Sequence, residues 1–273
     1  MLNRRTLLSA AAATSALVAG KRARAMTDPK SMENSATKKQ TFVLVHGAWH
    51  GGWCWRLVAD ALRAQGHIVY TPTLTGMGER EHLGTAQTGL TTHIEDVLAV
   101  LKYEELSDIV LVGHSYGGPV CQGVYDAAAD NISKLIMLDA VVRENGTSMT
   151  STAPPELIEK TEATLIDGYK LPAWPPEAFA VLAEDGDVYA WLKRRLTTMP
   201  YGSLSQPLEL KNPTPTGPDV LYIQCTGRRY SGDSSISAGQ AKALGWTLQT
   251  IDTGHDAMVT APQELTAMLL AAV

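Results

Sequence analysis

The feature that most limits what this chain can fold into is a five-residue turn, Gly113-His114-Ser115-Tyr116-Gly117. It directly follows the apolar run 109–112 and directly precedes a helix-forming stretch that continues toward Ala129. A G-x-S-x-G string alone is common in glycine-rich chains. Its place between a strand and a helix gives it meaning: a strained turn there lifts the Ser115 hydroxyl above a sheet, and small flanking residues relieve the crowding.

The rest of the chain supplies that sheet. Strands are expected at 41–45, an apolar β-type run, and at 67–70, 109–112, 135–138, 220–223 and 247–251, alternating with helical patterns. Trp55, Val58 and Leu62 share one face of the first helix, which stops at Gly66. Thr92 and Glu95 read as a capping box ahead of Ile94, Val97, Leu98 and Leu101. Further helices are expected at 236–244 and from Pro262, carrying Leu265, Met268 and Leu269. This alternation predicts an α/β fold, a doubly wound and mostly parallel sheet. Between 145 and 218 the rhythm lapses. That stretch is rich in proline, shows no apolar strand, and holds helix-like pieces around 155–164 and 176–196. An insertion after the fourth strand lies over the crevice where such sheets bind ligands. Residues 145–212 are therefore expected to be a helical lid belonging to one domain, 41–273.

The N-terminus reads differently. Arg4-Arg5 precede an Ala-rich apolar stretch, 6–20, and Ala23-Arg24-Ala25 has the A-x-A form of a cleavage site. Residues 1–25 are expected to be an export signal of the twin-arginine kind, directing a periplasmic or secreted protein. Met26 offers the alternative of a later start and a cytoplasmic protein. Residues 26–40 read as a polar tail. The apolar stretch is too short for a comfortable membrane span, so no stable membrane insertion is expected. The formal net charge is −5, with no basic stripe beyond the N-terminus, which argues against nucleic acid as a partner. Cys54, Cys121 and Cys225 make no disulfide framework and no CxxC, so they read as buried small hydrophobes. No Walker motif occurs, nor a G-x-G-x-x-G between strand and helix. Neither cofactor nor metal is expected.

A serine hydroxyl is a poor nucleophile at neutral pH and needs a base. His255, in Thr253-Gly254-His255-Asp256 just past the last strand, is the candidate; the other six histidines fit less well. His46-x3-His50 has the spacing of a metal pair but no evident third ligand. Acyl transfer also needs prepositioned N–H groups for the developing oxyanion. Tyr116, after the serine, and Ala48, in the Gly-rich loop 46–52, are the candidate backbone donors.

The stretches Phe42-Val43-Leu44-Val45-His46-Gly47-Ala48-Trp49-His50-Gly51-Gly52-Trp53 and Gly113-His114-Ser115-Tyr116-Gly117-Gly118 resemble the α/β-hydrolase branch of plant methyl-ester esterases and salicylate-binding proteins, together with hydroxynitrile lyases. Thr71-Pro72-Thr73-Leu74-Thr75-Gly76-Met77-Gly78-Glu79-Arg80 and Gly254-His255-Asp256-Ala257-Met258 are similar to bacterial carboxylesterases of that branch, including pyrethroid-hydrolysing ones. The resemblance implies a serine carboxylic ester hydrolase working through a covalent acyl-enzyme on a small-molecule ester.

The plant pattern has an Asp after the strand corresponding to 220–225. Here that place reads Cys225-Thr226-Gly227-Arg228-Arg229. An acid is still needed to hold the imidazole. Asp139, ending the strand next after the serine's, is preferred. Asp233 competes but reads better as a helix N-cap, and Asp256 is expected to point elsewhere. Tyr169, Trp174, Phe179, Tyr189 and Trp191 in the insertion suit a bulky hydrophobic ester, although lid core accounts for most of them. Trp49, Trp174 and Trp191 are taken as candidate substrate contacts. Glu79-Arg80 reads as a surface ion pair. Two other functions compete. A carbon–carbon lyase of the hydroxynitrile kind would carry a Lys after the histidine, where this chain has Asp256. A non-catalytic binding module would have lost Ser115 or His255, and both are present.

Overall fold

The structure is a computed structural model, and it describes residues 38–217, 219–227 and 235–273. The expected export signal, most of the expected polar tail, Arg228, Arg229 and Asp233 lie outside the described residues. Lys39–Val273 form one unit. Its strands are β1 (Thr41–Val45), β2 (Ile68–Tyr70), β3 (Ile109–His114), β4 (Ile132–Leu138), β5 (Lys170–Leu171), β6 (Met199–Pro200), β7 (Val220–Cys225) and β8 (Thr247–Ile251). Six of them form one sheet in the order β2-β1-β3-β4-β7-β8, every neighbouring pair parallel.

Successive side chains on a strand point to opposite faces, so a strand covered on both sides must be apolar throughout. That is why the central runs carry no polar alternation. Val43, Ile109, Leu111, Leu135, Met137 and Tyr222 enter the core on one face. It is closed by α2 (Leu90–Tyr103), α3 (Gly117–Ala128) and α7 (Ser235–Ala243), through Val97, Val124 and Ala241 among others. Phe42, Leu44, Val110, Val112, Ile136 and Ile223 enter the other, closed by α1 (Arg56–Ala64) and α9 (Pro262–Ala271) through Val58, Leu62, Leu265 and Leu269. The chain leaves β1 for β2 on one side and returns to β3 on the other. Such a reversal opens a crevice at the C-terminal strand ends.

Several sequence-based boundaries move. β4 starts at Ile132, because its first half is only partly covered and shows no apolar run. β7 runs on to Cys225, where Gln224 and Cys225 pair with Thr250 and Ile251. Trp55 belongs to a 3-10 turn, Gly52–Trp55, that precedes α1. α2 begins at Leu90, so Thr92 is its third residue and its hydroxyl accepts the Gly89 N–H at 3.4 Å; Glu95 lies too far along to close the expected box. In the insertion, α4 (Pro155–Glu162) matches an expected piece. The piece at 176–196 does not stay continuous. Ala180 (φ 62°) and Gly186 (φ 59°) adopt left-handed backbone and break it into two 3-10 turns, Pro176–Phe179 and Ala183–Asp185, and α5 (Asp187–Lys193). The insertion also holds a one-turn helix, α6 (Gly202–Ser205), and an antiparallel pair, β5 with β6, each strand too short for any sequence period to reveal. All three cysteines are free; Cys54 and Cys121 are buried and Cys225 is half-buried.

Candidate active site

Ser115 sits between β3 and α3 with φ 53°, a conformation costly for a residue with a Cβ. The small neighbours follow from close approach. A Cβ on Gly117 would stand 2.8 Å from the His46 carbonyl oxygen, and one on Gly113 would stand 2.7 Å from Cys121 Sγ. The Ser115 N–H donates to the Leu138 carbonyl (3.3 Å), and the Ser115 carbonyl accepts from Gly118 and Val141 (3.0 Å each). These bonds tie the turn to the exit of β4, where Asp139 (φ 42°) swings toward β7 and donates its N–H to the Ile223 carbonyl at 2.7 Å.

The Asp139 carboxylate is buried. One oxygen accepts the Cys225 N–H at 3.1 Å; the other meets His255 Nδ1 at 2.6 Å. An ionised carboxylate only accepts, so Nδ1–H is the donor in this bond. The loop holding His255 runs from β8 to α8 (Ala257–Thr260). It is pinned from beneath: His114 Nε2–H donates to the His255 carbonyl at 3.0 Å. Burial drives the His114 pKa well down, so this ring is neutral.

Asp256 points away from that contact, into a fully buried pair with His50 (Nε2 to Oδ2, 3.1 Å). His50 Nδ1–H donates to the Ala48 carbonyl at 2.7 Å. Burial opposes charge on His50, yet the Asp256 carboxylate outweighs it and the His50 pKa is raised. Burial likewise works against the Asp256 charge, and His50, helped by the nearby His114 and His255 rings, more than offsets it, so the Asp256 pKa is lowered. His46 is neutral, its pKa pushed down to about 3 mainly by burial, with Nδ1–H on the Gly47 carbonyl (2.7 Å) and Nε2 accepting the Leu74 N–H (3.0 Å). The two histidines of the x3 spacing thus have separate partners. Among the described residues no group of three side chains could hold a metal ion.

Ser115, Ala48 and Tyr116 line a cavity of about 650 Å³ with Trp49, Trp174 and Arg143. Trp49 stacks on Trp174 at 4.5 Å between centroids. Trp191 is elsewhere: it packs edge-on against Trp53 (5.1 Å) beneath the Arg195 guanidinium and is not a lining residue. Of the five insertion aromatics singled out in the sequence only Trp174 lines the cavity, where a sixth, Tyr201, joins it. Tyr169 bonds the Gly84 carbonyl and Tyr189 bonds Glu177, while Phe179 is buried against Trp49. The expected Glu79–Arg80 pair does not form; Arg80 reaches Asp96 instead (3.1 Å) and also donates to the Thr73 carbonyl. Sequence reading weighed His50 only as half of a metal pair and gave His114 and Arg143 no role. The only local signal for Arg143 is a lone basic residue just beyond a strand exit.

Residues 42–268 match the alpha/beta hydrolase family. The chain belongs to the α/β hydrolase family. This α/β hydrolase is 40% identical, over 240 residues, to a carbendazim hydrolyzing esterase of Nocardioides sp. (strain SG-4G), covering 84% of this chain and 98% of that one. With a family match over most of its length and an esterase relative aligned nearly end to end, the chain is an enzyme of that family. Solved structures share the fold. An extracellular α/β-hydrolase from a Paenibacillus species, described as sharing structural and functional homology with tobacco salicylic acid binding protein 2, superposes with TM-score 0.70 at 24% identity, covering 85% of this chain and 98% of that one. A pyrethroid hydrolase from Sphingobium faniae JZ-2 gives TM-score 0.67 at 20% identity, covering 85% and 96%. Among the described residues no helix is long and apolar enough to cross a membrane.

Proposed function

We propose that this α/β hydrolase cleaves carboxylic esters of small, largely apolar molecules, with Ser115 as nucleophile, His255 as general base and Asp139 as the acid that orients it. The observation that carries this reading is the buried 2.6 Å bond from Asp139 to His255 Nδ1, on the strand-end side of a cavity that Ser115 lines. Ser115 Oγ attacks the ester carbonyl carbon while its proton passes to His255 Nε2. The carbonyl oxygen becomes an oxyanion held by the Ala48 and Tyr116 N–H groups. The intermediate collapses, the C–O bond to the alcohol breaks, and His255 returns its proton to the departing alkoxide. Water, deprotonated by His255, then attacks the acyl-enzyme; the acid leaves and Ser115 regains its proton. Residues 145–212 act as the lid of this site, an assignment supported by Leu157, Ile158 and Trp174 in the cavity wall. The relative's name makes carbendazim a sensible probe beside simple esters. A lyase has less support, since Asp256 puts an anion beside His255 where a cation is wanted.

The test compares wild type with Ser115→Ala on p-nitrophenyl butyrate and carbendazim. Ser115→Ala is expected to lose several orders of magnitude in kcat while keeping its fold; near-normal turnover would overturn the assignment. Asp139→Asn should lower kcat by on the order of 10³–10⁴ with little change in KM, because an amide that donates to Nδ1 selects the wrong tautomer. A loss under tenfold would remove Asp139 from the scheme.

A further inference from the structure

The cavity wall is mostly apolar, and only two of its residues are charged, Asp139 and Arg143. Asp139 is occupied by His255 and the Cys225 N–H. Arg143 is not so occupied. Among the described residues its buried Nε has no hydrogen-bond partner and no carboxylate stands against its charge; burial holds its pKa below the usual arginine value. Leaving a buried donor without an acceptor costs free energy, more so on a charged group.

The position of Arg143 is fixed rather than casual. Its N–H donates to Gln122 Oε1 and its carbonyl accepts from Gln122 Nε2, both at 2.9 Å, which clamps its backbone to α3. The preceding N–H, of Val142, donates to Ser237 Oγ at 3.3 Å, so α7 is held against the same segment. Ser237 and Gln240 of α7 line the cavity with Arg143 and, with three threonines of the insertion, add neutral polar groups to a wall that is otherwise mostly aliphatic and aromatic. Two residues before Arg143, the Val141 N–H bonds the Ser115 carbonyl. A rigid strip of chain therefore links the reacting serine to an uncompensated cation within one cavity.

We propose that Arg143 is a carboxylate-recognising subsite, so that the preferred substrates are esters bearing a second, free carboxylate remote from the scissile bond. This rests on the ester-hydrolase reading above. A guanidinium matches a carboxylate in charge and in fork geometry, and the apolar remainder of the wall suits a hydrocarbon spacer between the two ends. A neutral ester leaves the arginine uncompensated. A site built around a buried polar group discriminates against a ligand that lacks the matching group far more strongly than an apolar wall discriminates by size.

The experiment measures kcat/KM for two series of graded chain length: monomethyl esters of straight-chain dicarboxylic acids, and O-acetyl esters of ω-hydroxy acids. Each compound is paired with its analogue carrying a primary amide in place of the free carboxylate. Wild type is expected to favour the carboxylate over the amide by about 10–100-fold at the best length of at least one series, as befits a hydrogen bond to a charged group. Arg143→Met should bring that ratio near unity and Arg143→Lys should keep part of it; Arg143→Gln replaces Arg143→Met if that variant does not fold. A wild-type ratio near one at every length in both series overturns the proposal without any variant. So does a ratio that survives Arg143→Met, or a loss equal for carboxylate and amide. Hydrolysis of p-nitrophenyl butyrate by wild type separates the two readings: turnover of that ester with a flat carboxylate ratio keeps the esterase and removes the subsite, whereas no turnover of any ester removes both.

Discussion

His50 and Asp256 place an imidazole and a carboxylate together out of water, one residue from His255 and two from Ala48. Their titrations set a pH signature. The His50 pKa is raised by folding, so its share of stability is whole below its ordinary value of 6.5 and is lost as pH rises through the folded value. The Asp256 pKa is lowered, so its share is whole above its ordinary value of 3.8 and is lost as pH falls through the folded value. The pair should therefore stabilise most between those two values. Removing one member of a buried pair typically costs about 3–5 kcal/mol. Asp256→Asn is expected to destabilise by that order in urea unfolding at pH 5.5 and by clearly less at pH 9. Equal losses at both pH values would show that the charge on His50 is not what Asp256 holds. Sequence reasoning could say only that Asp256 faces away from the proposed catalytic contact; its partner lies 206 positions earlier, and no local pattern connects them.

At the scale of elements, the turn between β3 and α3 depends on how closely α3 approaches the exit of β4. A Cβ on Gly118 would run into the Val141 carbonyl oxygen and crowd the Ala140 side chain. Val141 in turn donates to Ser115. Gly118→Ala should thus cost about 1–3 kcal/mol of overpacking and also lower kcat by shifting Ser115. A variant with wild-type melting temperature and wild-type turnover would contradict this coupling. Strands covered on both faces were legible because burial leaves an unbroken apolar run, and β1 begins and ends where that run does. The half-covered start of β4 and the two-residue strands of the insertion leave no such trace. Nor does the break at Ala180, a non-glycine residue in left-handed backbone that no propensity would place there.

Across the whole molecule, the cavity draws on positions from Ala48 to Gln240, and this distance sets what could be read beforehand. Ser115 and His255 each announce themselves by a local motif at a strand end. Arg143, the face of α7 and the retreat of Trp191 depend on tertiary packing alone. The N-terminal segment has its own expectation, carried by Arg4-Arg5 and Ala23-Arg24-Ala25. Protein made in its native host should begin at or near Met26 and be found outside the cytoplasm, as N-terminal sequencing of cell fractions would reveal. Full-length chain found only in cytosol would count against export. A last consequence comes from the strand that supplies the His255 partner. The carboxylate reaches His255 from the exit of β4, so that bond asks for no acid at the exit of β7, where Cys225 contributes only its N–H. The acid and the serine turn thus hang from one strand exit, since Leu138 also accepts the Ser115 N–H, and a displacement of β4 alone would disturb both.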